Sequence, residues 1–99
     1  SAGTKDFLVT ISNGTPAQVF AGNTTNGSAV VTGFTQAQLS LLSTGMIVTN
    51  VVNGLQGTTI LAINQGAGSV TFSGNANATS TSAVSINFSP VVLIEGLAA

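Results

Sequence analysis

Three side chains of this chain can carry a charge: Lys5, Asp6 and Glu95. His, Cys, Arg, Tyr and Trp are all absent. General acid–base catalysis needs a proton donor or acceptor tuned near neutral pH. A paired-carboxylate site would have to use Asp6 with Glu95, which stand near opposite termini. Chain ends hold fixed geometry poorly, so these groups read as solvated charges. Lys5 and Asp6 read as ordinary edge charges that discourage aggregation. Fourteen Thr and eleven Ser supply hydroxyls, but a hydroxyl nucleophile needs an adjacent base. Only Lys5 or the α-amino group of Ser1 could act as one, and no constellation accompanies either. The inventory predicts a protein that is not an enzyme.

Other chemistries fail on the same inventory. Without Cys there is no disulfide framework, thiolate or sulfur metal site. A Ca²⁺ site built from Asp6 and Asn carbonyls would carry too little charge for useful affinity. Gly66-Ala67-Gly68 is a lone GxG without the further glycine of a phosphate loop. No metal and no cofactor is expected. Nucleic-acid binding needs a row of Lys or Arg to displace counterions, and an anionic membrane surface attracts basic clusters. One Lys supplies neither. The longest clearly apolar run, Val91–Ile94, is far short of the roughly 20 residues of a spanning helix. Glycosylation sequons at Asn13, Asn23, Asn26, Asn77 and Asn87 carry meaning only in a secreted eukaryotic protein.

The elements must then serve contact, not reaction. In 99 residues the charged fraction is 3%, where an ordinary soluble domain has roughly 25%. A free monomer usually relies on surface charge for colloidal stability. The near-neutral surface therefore points to one covered by neighbours; a hydroxyl- and amide-coated extracellular domain is the blander reading. Eleven Val, six Ile and fourteen Thr favour pleated, half-buried strands. Period-2 runs between Gly/Asn/Ser clusters predict strands at Phe7–Ile11, Gln18–Phe20, Ser28–Phe34, Met46–Val52, Thr58–Ile63, Ser69–Ser73 and Val84–Phe88.

Turn signals separate them. Asn13-Gly14, Asn26-Gly27 and Asn53-Gly54 accept positive φ, and Gly66-Ala67-Gly68 reads as a hairpin loop. Thr35–Leu42 breaks the pattern: Thr35 suits an N-cap, Gly45 suits the end of a short helix, and Leu39 and Leu42 would face the core. The five Phe also read as core, which leaves no aromatic platform for a carbohydrate or receptor. The expected fold is all-β: a small antiparallel sandwich or barrel of about seven short strands with one short helical turn. One domain, residues 7–89, lies between an N-terminal arm, 1–6, and a C-terminal arm or last strand, 90–99. Within the latter, Val91, Val92, Leu93 and Ile94 form a candidate docking arm, because an apolar strand must find a sheet edge of its own or of a neighbour.

Asn23–Phe88 resembles a small β-rich module of tailed-bacteriophage virion proteins. The resemblance rests on Gly27-Ser28-Ala29-Val30-Val31-Thr32-Gly33-Phe34, Gly45-Met46-Ile47-Val48, Gly57-Thr58-Thr59-Ile60 followed by Ile63, Val70-Thr71-Phe72-Ser73 with Asn75-Ala76, and Ile86-Asn87-Phe88. It implies a non-enzymatic building block of the virion and carries over no functional residue. Within that class a chain of one small domain without an aromatic tip suits a capsid decoration, or cement, protein. Such a protein would bind the major capsid protein or another virion protein on the outer capsid surface, as a homo-oligomer; a cyclic trimer is one symmetry that would serve. The alternative is a head-fibre, tail-fibre or baseplate module with an adhesive, host- or glycan-binding role. An ice-binding surface, suggested by the uncharged Thr79-Ser80-Thr81 stretch, would need a regular repeat that is missing.

Overall fold

The structure is a computed structural model and describes residues 16–90. Within them run β1 (Gln18–Gly22), β2 (Val30–Val31), α1 (Gln36–Leu39), β3 (Ile47–Val48), β4 (Ile60–Asn64), β5 (Ser69–Phe72) and β6 (Val84–Ser89). They form two antiparallel sheets, in the orders β1-β6-β3 and β2-β5-β4. The fold is all-β, as the alternation predicts. The strand expected at Phe7–Ile11 lies outside the described residues.

Two seams join the sheets. Asn23 and Thr32 exchange both backbone hydrogen bonds, at 2.8 and 3.0 Å, where β1 runs out beside β2. On the other side Gly45 N–H donates to Ile60 C=O, Ile60 N–H to Met46 C=O, Val48 N–H to Thr58 C=O and Gly57 N–H to Val48 C=O, all within 2.8–2.9 Å. Hydrogen bonding thus passes round a ring, β1-β6-β3-β4-β5-β2 and back to β1. Two three-stranded sheets linked at two seams stand between the sandwich and the barrel that the sequence leaves open. Each seam satisfies edge groups that would otherwise be exposed.

The core fills the ring. Val31, Val48, Ile60, Val70, Phe72, Ile86 and Phe88 point inward from the strands, and Leu39, Leu42, Met46, Val52 and Leu55 enter from the helix and loops. Phe88 is the hub. Its ring lies 6.1 Å from Phe72, 6.2 Å from Phe34 and 6.4 Å from Phe20, so one residue of β6 bonds the packing of both sheets. Gly22 lets Phe34 reach this cluster: a Cβ there would sit 2.7 Å from the Phe34 ring.

Local chemistry sets the boundaries. The helix carries a capping box, with Thr35 Oγ1 accepting from Gln38 N–H and Gln38 Oε1 accepting from Thr35 N–H. The α-helix is one turn, Gln36–Leu39, and ends before Gly45; Leu39 and Leu42 are buried as expected. Two predicted strands are much shorter than their apolar runs. Ser28–Phe34 reduces to Val30–Val31 because Gly33, at φ +94°, turns the chain away. Met46–Val52 reduces to Ile47–Val48 because the ladder passes from backbone to the Asn50 side chain. In β4 an extra residue enters between Ile60 and Ala62. Ile60 and Ile63, three apart, would face opposite sides of a regular strand; the bulge lets both point inward and leaves Leu61 outside.

Candidate docking surface

The ionisable groups, Lys5, Asp6, Glu95 and the Ser1 amine, lie outside the described residues, as does the candidate docking arm Val91–Ile94. Residues 16–90 contain no ionisable side chain at all. No cluster of metal-ligating side chains occurs among the described residues, and no helix there is long and apolar enough to cross a membrane. The chain reaches Pro90 from β6, whose two sides are taken by β1 and β3.

The polar groups converge at one place, where three loops meet. Thr24 is 2% exposed. Its hydroxyl donates to Ala78 C=O at 2.8 Å and accepts from Asn53 Nδ2 at 2.8 Å. Its N–H donates to Ser80 Oγ, and Ser80 N–H returns to Thr24 C=O. Asn77 N–H donates to Asn53 C=O, and Asn26 N–H to Thr79 Oγ1. Asn53 adopts φ +43° and Gly54 φ +79°, the double positive-φ turn that this dipeptide favours. The Thr24 hydroxyl has both a donor and an acceptor partner inside the protein, so the cluster works as a clamp between loops. Thr79 and Ser80 each accept one hydrogen bond in that clamp, and Thr79 stays exposed. Asn53-Gly54 is visible in sequence as a turn, but its tie to Thr24, 29 positions away, has no sequence signal.

The outward faces are different. Val30 stands opposite Thr71, and Thr71 opposite Ala62, which gives a row across β2, β5 and β4. The bulged Leu61 adjoins it and is 60% exposed. On the other sheet Val19, also 60% exposed, stands opposite Asn87. Leu41 and Val51 are exposed in loops. These apolar groups are interleaved with hydroxyls and carboxamides. The surface can therefore make van der Waals contact and neutral hydrogen bonds, and nothing within residues 16–90 can make an ion pair.

No family model, curated protein or solved structure matches this chain. The positions that carry the resemblance to virion modules are largely core or turn residues: Val31, Phe34, Val48, Ile60, Val70, Phe72, Ile86 and Phe88 are buried. They account for a fold, and the outward surface must account for a function.

Proposed function

We propose that the protein is a non-enzymatic structural component of a bacteriophage virion, a decoration protein that binds the outer capsid surface and its own copies. The observation that carries this reading is a domain without one ionisable side chain from residue 16 to residue 90 that still exposes Val19, Val30 and Leu61. Such a surface gains little from staying in water and gains from apolar contact. Specific interfaces of this kind bury roughly 1,200–2,000 Å² in total. Their strength is weakly screened by salt, because screening acts on charges. The resemblance of Asn23–Phe88 to virion modules supports the same reading.

The test is co-sedimentation with capsids assembled without the protein. Binding is expected to persist with little change from low to about 1 M NaCl, where the Debye length falls to roughly 3 Å. Leu61→Asp and Val30→Asp place a charge on the β2-β5-β4 face and should each weaken binding while the far-UV circular dichroism is retained. Release by moderate salt, or a chain that stays monomeric and never joins particles, would reject the proposal. Saturable binding to a glycan array without capsid binding would favour the adhesive fibre module instead.

A further inference from the structure

Two Asn-Gly pairs lie within the described residues, Asn26-Gly27 and Asn53-Gly54. Asparagine is a thermolabile residue, most of all before glycine, whose missing Cβ leaves its peptide nitrogen unhindered. In deamidation that nitrogen gives its lone pair to the carboxamide carbon and its proton to the departing nitrogen. Ammonia leaves, and a cyclic succinimide remains. Water then opens the ring at one carbonyl or the other, giving aspartate or isoaspartate. The reaction requires a glycine nitrogen free to lose its proton and, at the same moment, a carboxamide free to swing over it.

The fold withdraws a different partner at each pair. At Asn26-Gly27 it is the nitrogen. Gly27 N–H donates to Ala76 C=O at 2.8 Å, and Ala76 N–H donates to Ser28 C=O at 2.9 Å, so the lock is made of backbone alone. At Asn53-Gly54 it is the carboxamide, whose Nδ2 donates to the Thr24 hydroxyl at 2.8 Å. The turn around it is held as well. Asn53 C=O accepts from Asn77 N–H and Leu55 N–H donates to Val52 C=O, both at 2.8 Å. The Asn77 side chain lies over Gly54, where an added Cβ would sit 2.7 Å from Asn77 Cγ. This second lock hangs on one buried hydroxyl.

We propose that Asn53 is a modification site gated by Thr24: it is stable while the three-loop clamp is closed and deamidates when the clamp opens. The gate is one-way. The Thr24 hydroxyl has a single proton, which goes to Ala78 C=O at 2.8 Å. Asn53 meets the oxygen of that hydroxyl with a donor. A carboxylate at position 53 would meet it with an acceptor, and two oxygens would stand face to face with no proton between them. Isoaspartate would also route the main chain through the side-chain carbons, lengthening a turn whose positive φ values at Asn53 and Gly54 suit the original pair. Either product keeps the clamp from closing again. Either also places an ionisable side chain within residues 16–90, which otherwise have none. The inference concerns chemistry within one molecule and stands apart from the virion reading.

Peptide mapping by mass spectrometry tests it, after incubation of the full chain in mildly alkaline buffer, folded and unfolded in urea. In the folded chain Asn53 and Asn26 are each expected to deamidate at least about tenfold more slowly than in urea, because reaction waits for local opening. Thr24→Val removes the acceptor of the Asn53 amide and should speed deamidation at Asn53 by about tenfold or more, with Asn26 unchanged within about twofold. Thr24→Ser keeps an oxygen there and should hold Asn53 near its unaltered rate. Far-UV circular dichroism reports whether each variant folds. Should Thr24→Val not fold, Ser80→Ala takes its place: it removes the acceptor of Thr24 N–H at 2.9 Å, and the same selective rise at Asn53 is expected, smaller in size. Reaction of Asn53 in the folded, unaltered chain at the rate found in urea would overturn the proposal. So would a folded variant in which Asn53 is no faster, or in which both sites rise equally, since global unfolding would then be the route. Release of Asn53 by Thr24→Ser as full as by Thr24→Val would assign the protection to the Thr24 methyl and overturn it equally.

Discussion

Thr24 shows how much a single hydroxyl can hold in a stretch, residues 16–90, without an ionisable side chain. It is almost fully buried, and both of its hydrogen-bonding capacities are used by residues 29 and 54 positions away. Thr24→Val keeps the shape but leaves the Ala78 carbonyl and the Asn53 amide without partners. A buried polar group left unsatisfied costs about 1–3 kcal/mol, so the urea midpoint should fall accordingly, while Thr24→Ser should lose less. With no Trp or Tyr in the chain, unfolding is best followed by far-UV circular dichroism. Phe88→Ala sets the apolar comparison. It removes the ring that meets Phe20, Phe34 and Phe72, and a loss of about 3–5 kcal/mol is expected. If Thr24→Val cost nothing, the three-loop clamp would be a consequence of the fold and not one of its supports.

At the scale of elements, the features legible in the sequence are those set by neighbours in the chain. Alternation locates β1, β5 and β6, because Val84, Ile86 and Phe88 have to share one face. The N-cap at Thr35 and the positive φ values at Gly27, Asn53 and Gly54 follow from residue type alone. Where the outcome depends on distant residues, the sequence is silent or misleading. The run Met46–Val52 looks like a full strand, but the Asn50 carboxamide takes over the ladder to β6 and Val51 ends 82% exposed. Nothing in Thr58–Ile63 announces the bulge at Leu61, since it exists to keep both Ile60 and Ile63 inside. Of the surface, the sequence shows its lack of charge but not which Val or Leu remains outside. The β4–β5 hairpin offers a test at this scale. Gly68 has φ +67°, its carbonyl accepts from Phe34 N–H at 3.0 Å, and a Cβ there would lie 2.7 Å from the Phe34 carbonyl oxygen. Gly68→Ala should therefore destabilise by at least about 1 kcal/mol in urea, whereas Gly66→Ala, whose Cβ meets only the Asn64 side chain at 3.7 Å, should be close to neutral.

For the whole molecule, the absence of ionisable side chains from residues 16–90 makes a demand on stability that few proteins meet. The slope of unfolding free energy with pH equals the difference in protons bound by the unfolded and folded states. The described domain binds none in either state, since amides and hydroxyls do not titrate in the accessible range. Only Lys5, Asp6, Glu95 and the chain termini remain. Ordinary domains unfold in acid because carboxylates engaged in the folded state must be protonated. Here the urea midpoint should stay constant from about pH 2.5 to pH 9, with stability changing by less than about 0.5 kcal/mol. The sign of any departure is diagnostic. A folded state that engages Asp6 or Glu95 as carboxylates would hold extra stability at neutral pH and lose it as the pH falls below about 4, and replacing that residue by Asn or Gln would abolish the loss. A folded state that engages the Lys5 ammonium would lose stability as the pH rises above about 10. A flat profile would place all the free energy of folding in apolar packing and neutral hydrogen bonds. If the protein decorates a particle as proposed, the same profile measured on the assembled particle would separate the two partners of the interface, because any pH dependence of attachment beyond that of Lys5, Asp6, Glu95 and the chain termini would come from the partner surface.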